Sequence, residues 1–159
     1  MKHGSREQAS VIAAVGGGAL AGLGTVLTWF TIEIGGIAAP GGSATGLEGR
    51  DGRTVLAAAV VALLAAGFVA VGRRVMAAKV ALLAAGAVTA IVAIAGIVDA
   101  TAKDEEVEDE FGIPADRVAA EVGTGLWVVS VAAIALLAAG TAVEPDGWSR
   151  PPGRRAGRP

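Results

Sequence analysis

The chain has 159 residues, of which 53% are hydrophobic and 18% are charged, and it contains no cysteine. This composition excludes an ordinary soluble domain, and the lack of cysteine excludes disulfides, iron–sulfur clusters and thiolate metal sites. The net charge of -2 does not identify a partner, because the basic and acidic residues are concentrated in different stretches.

Four apolar runs dominate the sequence, and they cover residues 11–32, 54–72, 75–98 and 122–143. Each run can cross a bilayer, since about 20 residues at about 1.5 Å per residue match a hydrocarbon core of about 30 Å. The stretches between them are too short to bury a core of their own. We therefore predict an all-α membrane protein with one four-span domain over residues 1–149, folded as an up-and-down bundle of four transmembrane helices. Residues 150–159 are predicted to form a disordered basic tail.

The first run follows a short basic segment that is also typical of a signal peptide. No small-x-small cleavage site follows closely, so an uncleaved span is favoured. At Thr28 the sequence becomes β-branched and aromatic, which predicts that the helix ends near Leu27 and allows a short extended segment in the first outer loop. The rest of that loop, residues 33–53, is rich in glycine and is predicted to be irregular.

Small residues at four-residue intervals predict the faces through which the helices pack. In lipid, such residues let helix backbones approach closely. Gly18 and Gly22 have this spacing, and it fits either a homodimer face or packing within one chain, the second being favoured. The predicted packing residues are Gly18, Gly22, Ala58, Ala62, Ala66, Ala70, Ala77, Ala81 and Ala85.

Aromatic and basic residues predict how the chain sits in the membrane. The predicted boundary anchors are Trp29, Phe30 and Trp127 on the outer side and Trp148 on the inner side. The predicted topology determinants are Arg73 and Arg74 in the turn between the second and third spans and Arg150, Arg154 and Arg155 in the tail. Together with the basic N-terminal segment, they place both termini in the cytoplasm.

The stretch between the third and fourth runs is strongly acidic. A weak candidate cation site consists of Asp104, Glu105, Glu106, Glu108, Asp109 and Glu110, but their spacing is not that of an EF-hand, and a solvated acidic loop is favoured. Thr101 with Asp104 predicts a short surface helix with a kink near Gly112. Pro114 with Asp116 predicts the start of a helix that leads into the fourth span.

No span carries a charged residue at its middle. The serines have no histidine base except His3, which lies in the N-terminal segment, so no catalytic site, cofactor or firm metal site is predicted. Thr89 and Ser130 lie at membrane depth, where we expect each hydroxyl to bond to its own helix.

The order of these features resembles that of small four-span membrane proteins of high-GC bacteria. The features are Trp-Phe-Thr after the first span, Gly46-Leu47-Glu48-Gly49 before the second, the arginine turn, and Gly125-Leu126-Trp127 at the fourth. The resemblance implies a four-helix integral protein of the bacterial plasma (inner) membrane and carries no activity. The chain is also faintly similar in layout to claudins, but it has no cysteine pair and its Gly-Leu-Trp lies at the fourth span, so claudin function is not carried over.

The sequence favours a non-enzymatic accessory or scaffold protein that assembles through small-residue helix faces. Two alternatives stay open: an oligomeric passive channel or small-solute carrier, and a sensor that uses the outer acidic loop. The predicted partners are the lipid bilayer and either another membrane protein or a second copy of the chain, and not nucleic acid.

Overall fold

The computed structural model describes residues 3–72, 75–111 and 118–143. The elements are α1 (His3–Val26), β1 (Thr28–Ile34), β2 (Ile37–Thr45), a 3₁₀ helix (Gly46–Glu48), α2 (Arg50–Ala70), α3 (Val75–Phe111), β3 (Val118–Val122) and α4 (Thr124–Ala142). Within this described part, four helices are long and apolar enough to cross a membrane. The chain thus has the features of a multi-pass helical membrane protein that also carries a small sheet.

The four helices surround a common core, in which α1 and α3 each contact both α2 and α4. Small residues allow the close approach that lipid-embedded helices need. A Cβ atom placed on Gly17 of α1 would lie 3.1 Å from Leu136 Cγ of α4, and one on Gly86 of α3 would lie 2.9 Å from Leu137 Cγ. Glycine at these positions therefore sets the distance between α4 and its neighbours.

Alanine fills most of the core. The larger fully buried side chains include Leu82, Leu126 and Leu136, and the remaining buried apolar positions are mainly alanines of all four helices. The outward faces are also apolar, since Ile91 and Ile134 are 66% and 68% exposed. Helices that are apolar on every face are expected in a bilayer.

A three-stranded antiparallel sheet in the order β2-β1-β3 covers one end of the bundle. Strands β1 and β2 form a hairpin whose turn contains Gly35 (φ 62°) and Gly36 (φ 78°), and positive φ at both positions fits a tight hairpin turn. Strand β3 pairs with the other edge of β1, from Phe30 with Val122 to Ile34 with Val118. We call this the sheet end, and the opposite end, where α2 and α4 finish, the turn end.

The hydroxyl groups at membrane depth bond within their own helices, which confirms the expectation for Thr89 and Ser130. Thr89 Oγ1 donates to the Ala85 carbonyl oxygen at 2.7 Å, and Ser130 Oγ donates to the Leu126 carbonyl oxygen at 2.8 Å. Both hydroxyls are thereby satisfied without a polar partner on another helix.

The sequence predicts an irregular loop between the first two spans, and this prediction is wrong because much of the loop forms strands. The end of α1 is close to the predicted one. Helix α1 ends at Val26, but the extended segment that follows is one strand of a sheet, and residues 37–45 form its neighbour. Pairing with β1 forms this strand despite its two glycines and its proline, which an edge strand tolerates. Helix α2 then begins at Arg50, before the apolar run itself.

The predictions between the third and fourth spans are also corrected. Helix α3 continues without a break to Phe111, so the acidic stretch extends the third helix and is not a separate surface helix. Residues 118–122 form a strand, not the start of a helix. Backbone pairing with β1 overrides the local helix signal of Pro114 and Asp116. The predicted kink near Gly112 lies outside the described residues.

Lys79 connects two helices at the turn end. Its Nζ donates to the Val143 carbonyl oxygen at 3.0 Å, and Val143 is the residue that ends α4. A positive charge at a helix C-terminus compensates both the unpaired carbonyls and the helix dipole. Lys79 therefore fastens α3 to the end of α4.

We expect Lys79→Met to lower the free energy of unfolding by about 1 kcal/mol, because the carbonyl loses its charged donor. The measurement is the midpoint of unfolding by SDS in mixed micelles, followed by circular dichroism. Lys79→Arg keeps a charged donor and should stay near wild type. Equal midpoints for Lys79→Met and wild type would show that this bond contributes nothing.

Candidate functional site at the sheet end

Trp29 lies at the junction between α1 and the sheet. The register pairs Thr28 with Thr45 and Phe30 with Ala44, so Trp29 is the extra residue of a β-bulge in β1. Bulges redirect side chains out of the regular alternation. The side chain of Trp29 is only 7% exposed and packs in the core beside Leu126 and other residues of the sheet end.

The indole N–H and the carbonyl oxygen of Trp29 both have hydrogen-bond partners. The indole Nε1–H donates to the Gly24 carbonyl oxygen at 2.9 Å, near the end of α1. The carbonyl oxygen of Trp29 accepts a bond from the Gly123 N–H at 2.7 Å, just before α4. A buried indole needs such an acceptor, so the tryptophan is fixed in position as well as buried.

Glycine backbone forms the surface on which the indole rests. A Cβ atom on Gly46 would lie 2.5 Å from Trp29 Cε2, and one on Gly125 would lie 2.7 Å from Trp29 Cδ1. Real Cβ contacts are not this short, so any side chain at either position would displace the ring. We call Trp29, Gly24, Gly46 and Gly125 the tryptophan cradle.

The turn before α2 positions acidic residues beside the cradle. The Glu48 side chain accepts a hydrogen bond from the Thr45 backbone N–H at 2.9 Å. This bond joins the short 3₁₀ helix to the end of β2. Gly52, in the first turn of α2, packs directly onto the Gly46 carbonyl. Asp51, in the first turn of α2, therefore lies next to the cradle. A carboxylate at this position also interacts favourably with the positive end of the helix dipole.

A cavity of about 280 Å³ lies between the sheet and the helices. Its walls include the aromatic side chains Trp29 and Phe30 and the acidic residues Glu48, Asp51 and Asp99. Aromatic rings beside carboxylates form a surface that suits a positively charged organic group.

An open groove of about 720 Å³ adjoins this cavity. Asp51 and Asp99 line both spaces, and the rest of the groove is formed by α3 residues such as Ile91, Ile94 and Val98. The groove on the outward face of α3 therefore borders the space beneath the sheet.

The predicted boundary anchors occupy different environments. Trp29 is buried in the cradle, and Phe30 is half-buried. Trp127 is 60% exposed near the start of α4. Trp148 lies outside the described residues, and so do Arg73, Arg74, Arg150, Arg154 and Arg155.

The predicted packing residues divide into buried and exposed positions. Gly18 is buried against Leu63 of α2, whereas a side chain at Gly22 would meet nothing within 4 Å. Those buried in the core are Ala58, Ala62, Ala66 and Ala85, with Ala81 half-buried against it. Ala70 and Ala77 are exposed near the turn between α2 and α3. The core contains Ala65 of α2 and Ala78 of α3 instead.

The weak cation candidate was placed on Asp104, Glu105, Glu106, Glu108, Asp109 and Glu110, whose side chains lie outside the described part of the structure. Among the residues that are described, no group of three or more histidine, cysteine or acidic side chains is arranged to hold a metal ion.

The cavity residues Glu48, Asp51 and Asp99 were not predicted as a site. One local signal was present, because Thr45 and Glu48 have the spacing of a capping box just before an apolar run. Nothing local brings Asp99 to Asp51, since that proximity depends on the packing of α3 beside α2. Comparisons with protein-family models, with curated proteins and with solved structures found no match.

We expect Gly46→Ala and Gly125→Ala each to lower the free energy of unfolding by about 2 kcal/mol, because the added methyl group overpacks the ring of Trp29. Thermal unfolding in detergent, followed by circular dichroism, measures the effect. Gly22→Ala and Gly67→Ala are matched controls, since a side chain at either position meets nothing within 4 Å.

The double variant Trp29→Phe/Gly46→Ala identifies the origin of the loss. Phenylalanine lacks the five-membered ring that a Cβ on Gly46 would approach, so the two substitutions together should cost less than the sum of their separate effects. Strict additivity would mean that Gly46 and Trp29 do not act on each other.

Proposed function

We propose that the chain is a non-enzymatic accessory or scaffold protein of a bacterial plasma membrane, and that it holds a small sheet in a fixed position outside the bilayer. The observation that carries this proposal is the tryptophan cradle, which joins the sheet to α1, to the turn before α2 and to the start of α4. A sheet fastened at three points on a helical bundle is suited to present a rigid surface to a partner.

The arrangement that we propose in the membrane is an up-and-down bundle with both termini in the cytoplasm and the sheet outside. Two contacts support antiparallel packing of α1 and α4: Gly17 lies against Leu136, and Gly24, seven residues later, lies against Val129, seven residues earlier. The basic segments at the termini and in the α2–α3 turn support the orientation through the positive-inside rule.

The packing of the bundle supports a role that acts through its surfaces. The core is built from alanine and leucine, and its threonines bond to their own helices. A channel or carrier would therefore need a path between several copies of the chain, because the centre of the described bundle is filled with apolar side chains.

The proposed partner surface is the tip of the β1–β2 hairpin. Ile34 and Ile37 flank its glycine turn and are 39% and 75% exposed. Two exposed apolar side chains beside this glycine turn suit contact with the outer part of another membrane protein.

The orientation is tested with single cysteines, since the chain has none. We expect Ser43→Cys, on the exposed part of β2, to react with a membrane-impermeant maleimide in intact cells. Gln8→Cys, near the start of α1, should react only after the cells are permeabilised. The opposite pattern would contradict the proposed orientation.

The accessory role is tested by extraction in a mild detergent, with mass measurement of the complex. We expect a stoichiometric membrane-protein partner that is lost with Ile34→Asp/Ile37→Asp and kept with Ser43→Asp, which adds a charge to the same hairpin. A homo-oligomer without another chain would contradict the accessory role and favour the channel alternative, for which solute flux into liposomes is the next assay.

A further inference from the structure

The cavity and the groove at the sheet end are adjacent spaces that share two lining residues. They meet at Asp51 in the first turn of α2 and at Asp99 in α3, because both residues line both spaces. From this junction the cavity extends beneath the sheet beside Trp29 and Phe30, and the groove extends along α3.

The groove is suited to a hydrocarbon chain. Ile91, Ile94 and Val98 are 66%, 63% and 61% exposed, and they belong to the membrane-spanning stretch of α3. An aliphatic chain that lies along these side chains stays in an apolar environment over its whole length.

The junction is suited to a cationic head group. Glu48, Asp51 and Asp99 line the cavity, and Asp51 and Asp99 also line the groove. Phosphate or carboxylate heads would be repelled by these side chains, whereas an ammonium group would be attracted by them and by the neighbouring aromatic rings.

The arrangement favours an organic cation over a metal ion. Metal ions need several ligand atoms that converge on one point, and the described residues provide no such group of three. The acidic residues instead lie along the wall of a cavity of about 280 Å³, which is large compared with a single ion.

We propose that the cavity and the groove together bind a single-chain amphiphile with a positively charged ammonium head. The head lies between Asp51 and Asp99 next to the aromatic wall, and the alkyl chain lies along Ile91 and Ile94. Such a ligand enters sideways from the leaflet at the sheet end, since the groove opens on the outward face of α3. This site is separate from the hairpin tip and does not depend on the accessory role.

The test uses dodecyltrimethylammonium with the full chain in phosphatidylcholine nanodiscs. Trp127→Phe/Trp148→Phe leaves Trp29 as the reporter, because its ring lines the cavity. We expect a saturable change in Trp29 fluorescence. Laurate, which has a similar chain and the opposite charge, and tetramethylammonium, which lacks the chain, should each bind at least about tenfold more weakly.

Two sets of variants separate the head-group contacts from the groove. Asp51→Asn/Asp99→Asn should weaken binding about tenfold, and Glu121→Gln, an exposed acid of β3 outside both spaces, should not. Ala95→Phe fills the groove but keeps both carboxylates, so it should also weaken binding, whereas Ala77→Phe, exposed at the turn end of α3, should not.

Binding of laurate as tight as that of dodecyltrimethylammonium would overturn the proposal, and so would unchanged affinity in the double asparagine variant or in Ala95→Phe. Circular dichroism of each variant shows whether it is folded. If the double asparagine variant does not fold, the result for Ala95→Phe decides.

Discussion

The contact between the Trp29 ring and glycine backbone is the constraint on which the sheet end depends. A large ring is buried at a place where three chain segments meet, and it fits only because Gly46 and Gly125 have no side chain. Its N–H reaches back to Gly24 of α1, while its own carbonyl receives the N–H that precedes α4. One residue thereby fixes where α1 ends, how the sheet lies and where α4 begins.

The same constraint explains why there is space beneath the sheet. The bundle itself packs through alanine and glycine, which bring helix backbones close together and leave little room between them. The sheet instead rests on one bulky ring, so a cavity remains between it and the helices, and Glu48, Asp51 and Asp99 line that cavity. The proposed rigid presentation of the hairpin and the proposed amphiphile site thus follow from one packing arrangement.

Much of the helical architecture could be predicted from the sequence, because apolar length is a strong signal for spanning helices. The end of α1 was also predictable, from the change to β-branched and aromatic residues at Thr28. The sheet was not, since residues 118–122 have little strand propensity and pair with β1 only through tertiary contacts. The Gly35-Gly36 pair was a usable hairpin signal. The burial of Trp29 and the meeting of Asp51 with Asp99 required the packed structure, because no local pattern joins residues so far apart in the chain.

The most direct test of this account is the rate of hydrogen exchange at the Trp29 indole N–H, measured by NMR with ¹⁵N-labelled tryptophan in nanodiscs. A single-tryptophan background, Trp127→Phe/Trp148→Phe, assigns the signal. The account predicts exchange far slower than that of tryptophan in an unstructured peptide, because the N–H is buried and bonded to the Gly24 carbonyl. Exchange as fast as in the peptide would show that the ring is open to water and would contradict the tryptophan cradle as the element that fixes the sheet to the bundle.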